Sequence, residues 1–478
     1  MIFRFAISSF ALRLHSFSRL CLPSVFPQKK DFLIFCQRFL IMMKQYLSII
    51  FLVVFISPAY SQTSDSLLQT ASLQNCVQYA LKHQPLLQQA LLDEAIAGQQ
   101  IRIKLADWYP QVNFNYNIQH NFQVQTSIIG GNPVKLGVNN TSYGQFGLTQ
   151  AIFNRDVLLA RRTAGDVRKQ LKQQTSSDKI DITVNVSKAF YDVLLTQKQI
   201  DLDNETLVRL ERSLKDAYNQ YQGGIVDKVD YKRALISLNN AKALKRQNEE
   251  SLKAKYASLR NQMGYPPDGK LDLQYDSTQL ERDAWADTSQ GIQYENRIEY
   301  QQLETQKRLQ ASNLTYYKWG YLPVVGAFGN YNLNYLNDTF SKLYSNNFPN
   351  SYAGISLSFP IFQGGKRVQQ IRQATLQLKR VDYDLISLKN NISAAYAQAL
   401  AAYKGAYVYY NILKENLAIA TEVYNTIQLQ YKAGVKTYLD VIFAETDLRS
   451  AQVNYTNALY QVISSKLDVQ KELGTIQY

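Results

Sequence analysis

Cysteine and histidine are scarce in this chain of 478 residues, which contains 3 of each. Two of the cysteines lie within the first 36 residues, so Cys76 stands alone in the rest of the chain and no internal disulfide can form there. After residue 61 the only histidines are His83 and His120, and no metal-ligand spacing, phosphate loop or nucleophile elbow is present. The sequence therefore predicts a protein that is not an enzyme and has neither a cofactor nor a metal site.

Proline is absent from two unusually long stretches. Residues 154–221 span 68 positions with Gly165 as the only glycine, and residues 363–431 span 69 positions. Because proline breaks helices, each stretch can form one helix of about 100 Å at 1.5 Å per residue. Such helices are far longer than those of ordinary globular domains. Shorter helices predicted at 225–263 and 293–319 can stack end to end beside each long one.

The N-terminal region has no apolar run long enough to span a bilayer. Met43-Lys44 begins a short basic region, residues 47–56 form a ten-residue apolar core, and Ala59-Tyr60-Ser61 resembles a cleavage site. We interpret residues 43–61 as a secretory signal peptide. Residues 1–42 are interpreted as an extension that arises from a start codon assigned too early, the alternative being a genuine long leader.

The charge balance does not predict nucleic-acid binding. The chain has 52 basic and 38 acidic residues, a net charge of +14. Residues 1–61 hold seven of the basic residues and one acid, which leaves 45 against 37 in the remainder. The excess is therefore partly a property of the leader, and no basic cluster with a reading helix is present.

The first long helix carries apolar residues at alternating steps of three and four, the pattern of a coiled-coil seam. The seam consists of Leu207, Leu210, Leu214, Ala217 and Tyr221. The same steps recur 210 residues later, in Leu417, Ala420, Tyr424, Ile427 and Tyr431. Each seam runs into a glycine-containing turn, and Asp230 or Asp440 follows six residues after the last glycine. The chain is therefore a tandem duplication with one helical hairpin in each half.

The duplication divides the chain into a first repeat at 62–263, a linker at 264–292 and a second repeat at 293–478. Between the helices the apolar period changes to two, which predicts β-strands with one apolar and one polar face. These strands cover about 110–124 and 142–153 in the first repeat, and about 322–336 and 352–362 in the second.

The polar face of the predicted strands is rich in asparagine. It contains Asn113, Asn115, Asn117, Asn330, Asn332 and Asn334. This alternation fits a membrane β-barrel with a wet lumen, which these asparagines would face; a soluble antiparallel sheet with one solvated face is the alternative. Aromatic residues at the helix–strand junctions, among them Trp108, Tyr109, Trp319 and Tyr321, resemble an interfacial girdle.

Four strands cannot close a barrel, and unpaired strand edges cannot face lipid. Several copies must therefore pool their strands, and three copies give twelve, enough for a water-filled interior. The predicted fold is a mixed α and β membrane protein. Its long coiled-coil helices form an α-helical barrel, and its four β-strands contribute to a 12-stranded trimeric membrane β-barrel.

The duplication, the signal peptide and the two hairpin tips, together with the strand-to-helix junction at 357–367, resemble the TolC family of outer-membrane efflux proteins. The equivalent junction at 148–154 lacks the proline and the glycine pair, and the resemblance covers residues 70–474. The resemblance implies a homotrimer in contact with outer-membrane lipid, with a large periplasmic portion. It also implies a periplasmic adaptor and an inner-membrane pump of the RND or ABC type as partners, for export of small molecules or proteins. The alternative function is a periplasmic coiled-coil adaptor or structural protein.

The resemblance also implies roles for residues at the hairpin tips. A periplasmic gate maps onto Tyr431, Lys436, Asp440, Asp230 and Phe443. Lys436 stands where arginine is common and cannot form the bidentate fork, and Phe443 replaces a second aspartate. The adaptor-docking tip maps onto Gly223, Gly224, Ile225, Ala433, Gly434 and Val435.

Overall fold

The computed structural model describes residue 68, residues 71–274 and residues 277–478. The chain divides into residues 1–66 and residues 67–478, and every described residue belongs to the second part. The predicted leader, which covers residues 1–42 and 43–61, lies outside the described residues. The helices are α1 (Leu73–His83), α2 (Pro85–Ala106), α3 (Arg155–Gln222), α4 (Lys228–Met263), α5 (Ser277–Asp283), α6 (Ile298–Lys318), α7 (Lys366–Lys432) and α8 (Tyr438–Leu473).

The two long helices predicted from the absence of proline are confirmed. α3 has 68 residues and α7 has 67. The return helices α4 and α8 have 36 residues each. The first helical segment is broken at Pro85: α1 ends at His83 and α2 begins at Pro85, where the missing N–H costs nothing in the first helical turn.

No helix within the ranges 71–274 and 277–478 has both the length and the apolar character needed to cross a membrane.

Glycine ends four of these helices in the same way. Gly224, Gly264, Gly434 and Gly474 have φ between +66° and +76°, a left-handed conformation that costs other residues energy. After α4, for example, Gly264 N donates to Asn261 O and Tyr265 N donates to Arg260 O. This Schellman pair satisfies carbonyl groups that the helix end would leave without partners.

The strands form a four-stranded antiparallel sheet in the order β1-β4-β5-β6, and a separate hairpin. They are β1 (Gln111–His120), β2 (Thr126–Ile129), β3 (Asn132–Lys135), β4 (Asn140–Phe153), β5 (Val324–Asn337) and β6 (Asn350–Ser358). The pairing of β4 with β5 joins the first repeat to the second.

The register places the alternating residues of all four strands on consistent faces. Asn115 lies opposite Gln145, Gln145 opposite Asn332, and Asn332 opposite Asn350, which together make a polar row across the sheet. Asn332 Nδ2 donates to Asn350 Oδ1 at 2.7 Å. The six asparagines predicted to share a face do share one, because β-strand side chains alternate with a period of two.

The opposite face of the sheet is apolar. Phe114 lies opposite Phe146, and Phe146 opposite Tyr331. The rings of Phe114 and Phe146 are 4.7 Å apart between centroids. Cross-strand aromatic pairs of this kind stabilise the sheet and its register.

Several predicted strand ends were wrong. β1 ends at His120 and not near 124; Asn121 N still donates to Asn139 O, the next position in register with β4, and the chain leaves the sheet beyond that bond. The segment between β1 and β4 contains the hairpin β2–β3, turned by Gly130 and Gly131 at φ +60° and +84°. β6 ends at Ser358 and not near 362, since Pro360 offers no N–H to a neighbouring strand.

The remaining boundaries shift by five residues or fewer. β4 begins at Asn140, and β5 covers 324–337. α7 begins at Lys366 because Gly364 and Gly365 are left-handed, and α4 begins at Lys228 after its cap Asp227. α6 begins at Ile298 and follows a separate 3₁₀ turn at Tyr294–Asn296.

The main apolar core brings both repeats and the linker together. Phe190 of α3, Leu259 of α4 and Val462 of α8 are buried in one cluster, as is Cys76. Burial raises the pKa of the Cys76 thiol to about 12, as expected for a packed helix thiol. The linker at 264–292 joins this core, and Tyr403 of α7 holds it by donating to Ala284 O and accepting from Ala286 N.

Candidate functional site at the hairpin tips

The two predicted seams pack as coiled coils inside their own hairpins. In the first hairpin, Leu210 of α3 packs with Leu238 and Ala241 of α4. In the second, Tyr424 of α7 packs with Ala444 and Leu448 of α8. A third cluster joins the hairpins and consists of the buried Ala217, Ala234, Tyr438 and Val441. The tips of the two hairpins are therefore packed against each other.

Both tips turn with the same backbone geometry. Gly224 N donates to Tyr221 O and Ile225 N to Gln220 O; 210 residues later, Gly434 N donates to Tyr431 O and Val435 N to Gln430 O. Gly224 and Gly434 lie at φ +69° and +76°, whereas Gly223 and Ala433 have negative φ. The side chains of Ile225 and Val435 are 76% and 72% exposed at the turns.

Tyr431 connects the second hairpin to the first. Its hydroxyl donates to Gln220 Oε1 of α3 at 2.8 Å, and its ring lies 5.8 Å from the ring of Tyr438. Burial raises the pKa of Tyr431, so the phenol remains a neutral donor at physiological pH. The partner Gln220 was not foreseen from the sequence.

Asp440 lies in the first turn of α8 and forms a capping box with Thr437. Its Oδ2 atom accepts from Thr437 N at 2.9 Å and from Thr437 Oγ1 at 2.8 Å, while Thr437 Oγ1 accepts from Asp440 N. The backbone and side-chain hydrogen bonds from Thr437, and more weakly the charge of Lys436, hold the pKa of Asp440 below its usual range. Asp440 is therefore ionised at neutral pH.

The other predicted gate residues lie apart from these bonds. Asp230 is 4.0 Å from Arg233 on its own helix. Lys436 makes no hydrogen bond or ion pair with the residues at 68, 71–274 and 277–478. Phe443 is 61% exposed. Within one chain, the structure thus links Tyr431 to Gln220 and Asp440 to Thr437, but it does not join Tyr431 or Lys436 to Asp440 by a hydrogen bond or ion pair.

A polar contact between the hairpins near their tips joins Arg209 of α3 and Glu445 of α8. Arg209 Nη2 lies 3.2 Å from Glu445 Oε1, and the Glu445 side chain is 9% exposed. Arg209 Nη2 also donates to Thr206 Oγ1 at 2.9 Å, and the guanidinium lies 5.6 Å from the Tyr424 ring centroid. Burial, reinforced by the charge of Glu445, raises the pKa of Tyr424 to about 12. The pair is partly shielded from solvent.

The duplication contained a signal for this pair that the seam pattern missed. The residues 210 positions away from Arg209 and Glu445 are Ile419 and Leu235. Each charged residue thus stands where the other repeat has an aliphatic one. A charge that replaces an apolar residue in one of two repeats marks a contact that the repeats do not share.

The arrangement at the tips consists of contacts between helices. Throughout the described part of the chain, no group of three His, Cys, Asp or Glu residues could hold a metal ion. Hydrogen bonds, an ion pair and an apolar cluster instead connect α3 with α7 and α8. These contacts hold one hairpin against the other.

Known proteins resemble the chain over most of its length. The model of the family described as "Outer membrane efflux protein" matches residues 76–265 and 320–475. The outer membrane protein TolC of Vibrio cholerae is 22% identical over 383 residues, which cover 77% of this chain and 82% of that protein. The alkaline protease secretion protein AprF of Pseudomonas aeruginosa is 23% identical over 401 residues, 81% of each chain.

Solved structures show the same fold. The crystal structure of the outer membrane protein VceC from Vibrio cholerae superposes with a TM-score of 0.66 at 15% identity. The match covers 84% of this chain and 96% of that one. At this identity the likeness concerns the fold alone, an arrangement of long helices and a small sheet.

We expect Arg209 and Glu445 to be energetically coupled. Arg209→Met should destabilise the hairpin pair by about 3–5 kcal/mol, because it leaves the shielded Glu445 carboxylate without its partner. Glu445→Leu should cost less, since Arg209 keeps Glu205 at 4.0 Å. The double variant should lose much less than the sum, since it removes both charges together. Hydrogen exchange of residues 206–213 and 441–449, followed by mass spectrometry, measures the coupling.

The exposed pair between Lys242 and Glu211, at 3.8 Å, serves as the control. Lys242→Met should change the free energy of opening, as measured by hydrogen exchange, by less than about 1 kcal/mol. Strictly additive effects of Arg209→Met and Glu445→Leu would show that the ion pair does not hold the hairpins together.

Proposed function

This chain belongs to the outer membrane efflux protein family, and we propose that three copies form a channel whose hairpin tips are its periplasmic gate. The chain is an outer-membrane channel protein of an efflux or secretion system and has a large periplasmic portion. The family match spans both repeats, so the earlier alternative of a periplasmic adaptor is set aside. Homologues with this fold are channels and not enzymes.

The register of the sheet is the observation that carries the trimer proposal. Its polar row of Asn115, Gln145, Asn332 and Asn350 faces one side, while Phe114, Phe146 and Tyr331 face the other. β1 and β6 are the outer strands, and each has one edge without a partner in the described chain. Unpaired edges are not tolerated in lipid. Pairing β6 of one copy with β1 of the next supports a twelve-stranded barrel that is wet inside and apolar outside.

The contacts within one chain suggest how the gate is held. The Tyr431–Gln220 hydrogen bond and the Arg209–Glu445 ion pair fix the second hairpin against the first. Lys436 has no partner within the described chain, so it is available to a carboxylate of the neighbouring copy, such as Asp230. Threefold symmetry would bring three ionised Asp440 side chains near one axis, which makes the opening attractive to cations.

The turns between the helices are proposed as the surface that docks a periplasmic adaptor. Gly223, Gly224 and Gly434 keep the turns compact, and Ile225 and Val435 project from them. Two exposed apolar side chains at equivalent positions suit an apolar contact with a partner hairpin. Through such an adaptor the channel would receive cargo from an RND or ABC type pump.

We expect the two faces of β1 to respond oppositely to charge. Phe114→Arg should reduce the yield of trimers, since an arginine that faces lipid at mid-membrane costs about 2–4 kcal/mol. Asn115→Arg should assemble normally because it faces water. Oligomers from purified outer membranes, separated by electrophoresis without heating, give the yield. Tyr331→Arg and Asn330→Arg repeat the comparison in the second repeat, and equal assembly of all four variants would rule out the barrel.

We expect the gate to open when its two polar links are removed together. Tyr431→Phe with Lys436→Ser should raise the conductance of single channels in planar bilayers. The first change removes the hydrogen bond from Tyr431 to Gln220, and the second removes the proposed ion pair of Lys436 with the neighbouring copy. Tyr409→Phe with Lys404→Ser makes the same chemical changes on an exposed face of α7, away from the tip, and should conduct like the parent. An unchanged conductance in the first variant would mean that Phe443 or the Arg209–Glu445 pair suffices to keep the channel shut.

We expect docking to depend on the apolar side chains at the turns. Ile225→Glu with Val435→Glu should block export while trimers remain in the outer membrane, since both residues are exposed and support no packing. The assay is dye efflux or protein secretion in cells that rely on this channel with its own adaptor and pump. Gln222→Glu, also exposed at the tip, adds a charge without removing an apolar group and should preserve export. Normal export in the double variant would place docking elsewhere.

A further inference from the structure

The positive charge of the chain is concentrated where the helices meet the sheet. Four segments carry it: residues 102–107 of α2 and its end, 155–169 of α3, 307–318 of α6 and 366–380 of α7. We name these segments the basic collar. Together they hold fifteen Lys and Arg residues and three acids, Asp107, Asp156 and Asp166. The rest of the chain after residue 61 holds 30 basic and 34 acidic residues. The chain is therefore net negative outside the collar.

Contacts between helices place three of these segments, those of α3, α6 and α7, at the same distance from the sheet. Arg308 Nε of α6 lies 2.8 Å from Asp166 Oδ1 of α3. Its neighbour Lys307 lies 2.9 Å from Asp382 Oδ1 of α7, directly after the collar segment of that helix. Tyr316 of α6 donates to Asp156 Oδ1 of α3 at 2.7 Å. α3, α6 and α7 thus present their cations at the same height, next to the sheet.

Few of these cations are neutralised by the protein. Within the described residues, only Lys104, Lys307 and Arg308 of the fifteen have a carboxylate oxygen within 4.0 Å. Arg161, Lys169 and the helix α7 residues Arg372, Lys379 and Arg380 are exposed. So many unpaired like charges repel one another, which favours a bound counter-charge from outside the chain.

Aromatic side chains lie at the edge of the collar that adjoins the sheet. The guanidinium groups of Arg155 and Arg367 lie 4.5 Å from the ring centroids of Tyr316 and Tyr321. Arg162 lies 5.9 Å from the ring of Trp319. Beyond these aromatics, the strands β1, β4, β5 and β6 contain no Lys, Arg, Asp or Glu. Tyrosine and tryptophan concentrate at the headgroup level of membranes, so the collar begins where the hydrocarbon ends.

From this placement we propose that the basic collar binds the phosphate groups of anionic phospholipids in the periplasmic leaflet of the outer membrane. The chemistry is complementary, because guanidinium and ammonium groups bind phosphate by charge-assisted hydrogen bonds. Each Lys or Arg near an anionic membrane surface raises the binding constant about fivefold. Such binding fixes the depth of the sheet in the membrane. The proposal rests on the outer-membrane location of the chain and not on the gate or on the number of copies.

The test measures stabilisation of the purified, detergent-solubilised protein by added lipid. Phosphatidylglycerol should raise the temperature of thermal unfolding, whereas phosphatidylcholine should not, since a ligand that binds only the folded state stabilises it. The rise should shrink as sodium chloride is added, because salt screens exposed charges. A parent protein that responds equally to both lipids, or keeps its full response in high salt, would overturn the proposal without any variant.

A matched pair of variants locates the effect. Arg161→Gln with Lys169→Gln and Lys379→Gln should lose at least half of the response to phosphatidylglycerol. The control is Arg212→Gln with Lys215→Gln and Lys404→Gln, which removes the same charges from exposed positions of α3 and α7 far from the sheet and should keep the full response. Equal responses would overturn the proposal. So would a collar variant that keeps its lipid response but changes anion conductance, because its cations would then face cargo in the lumen.

Discussion

The antiparallel pairing of β4 with β5 is the constraint on which the two halves of the molecule depend. It runs from Asn140 opposite Asn337 to Phe153 opposite Val325, with one bulge near Ala151, and joins the last strand of the first repeat to the first strand of the second. A slip of one residue would turn every side chain of one strand to the other face. The apolar pair of Phe146 with Tyr331 and the polar pair of Gln145 with Asn332 both oppose such a slip. α3 leaves the sheet directly after β4, so the register also sets where the long helix starts.

The two repeats have similar hairpins but differ in sequence where the hairpin tips contact each other. At the tips one repeat supplies Arg209 and the other Glu445, in place of Ile419 and Leu235. A buried ion pair is often no more stable than an apolar pair of similar size, because both charges lose water. It differs in its response to disturbance, since separating the two charges without hydration is costly whereas aliphatic side chains slide past each other. The pair therefore favours one discrete arrangement of the hairpins over a range of similar ones.

Local chemistry allowed most of the architecture to be predicted. The long helices follow from the absence of proline, the turns from Gly224 and Gly434, and the faces of the strands from alternation. The strand ends did not follow, because β1 stops where Asn121 bonds to Asn139, a contact set by the loop. The Arg209–Glu445 pair joins residues 236 positions apart, which no local period reveals. Gln220 escaped notice for the same reason, and the capping bond between Asp440 and Thr437 was not foreseen either.

The shared core has a consequence for the order in which the protein can fold during synthesis. Phe190 and Leu259 belong to the first repeat, yet they are buried with Val462 and Tyr403 of the second. At synthesis rates of about 5–20 residues per second, the roughly 200 residues after Met263 take on the order of 10–40 s to emerge. During that interval the side chains of the second repeat that complete the core have not been synthesised. The core of this export channel therefore closes only after the second repeat has followed the first.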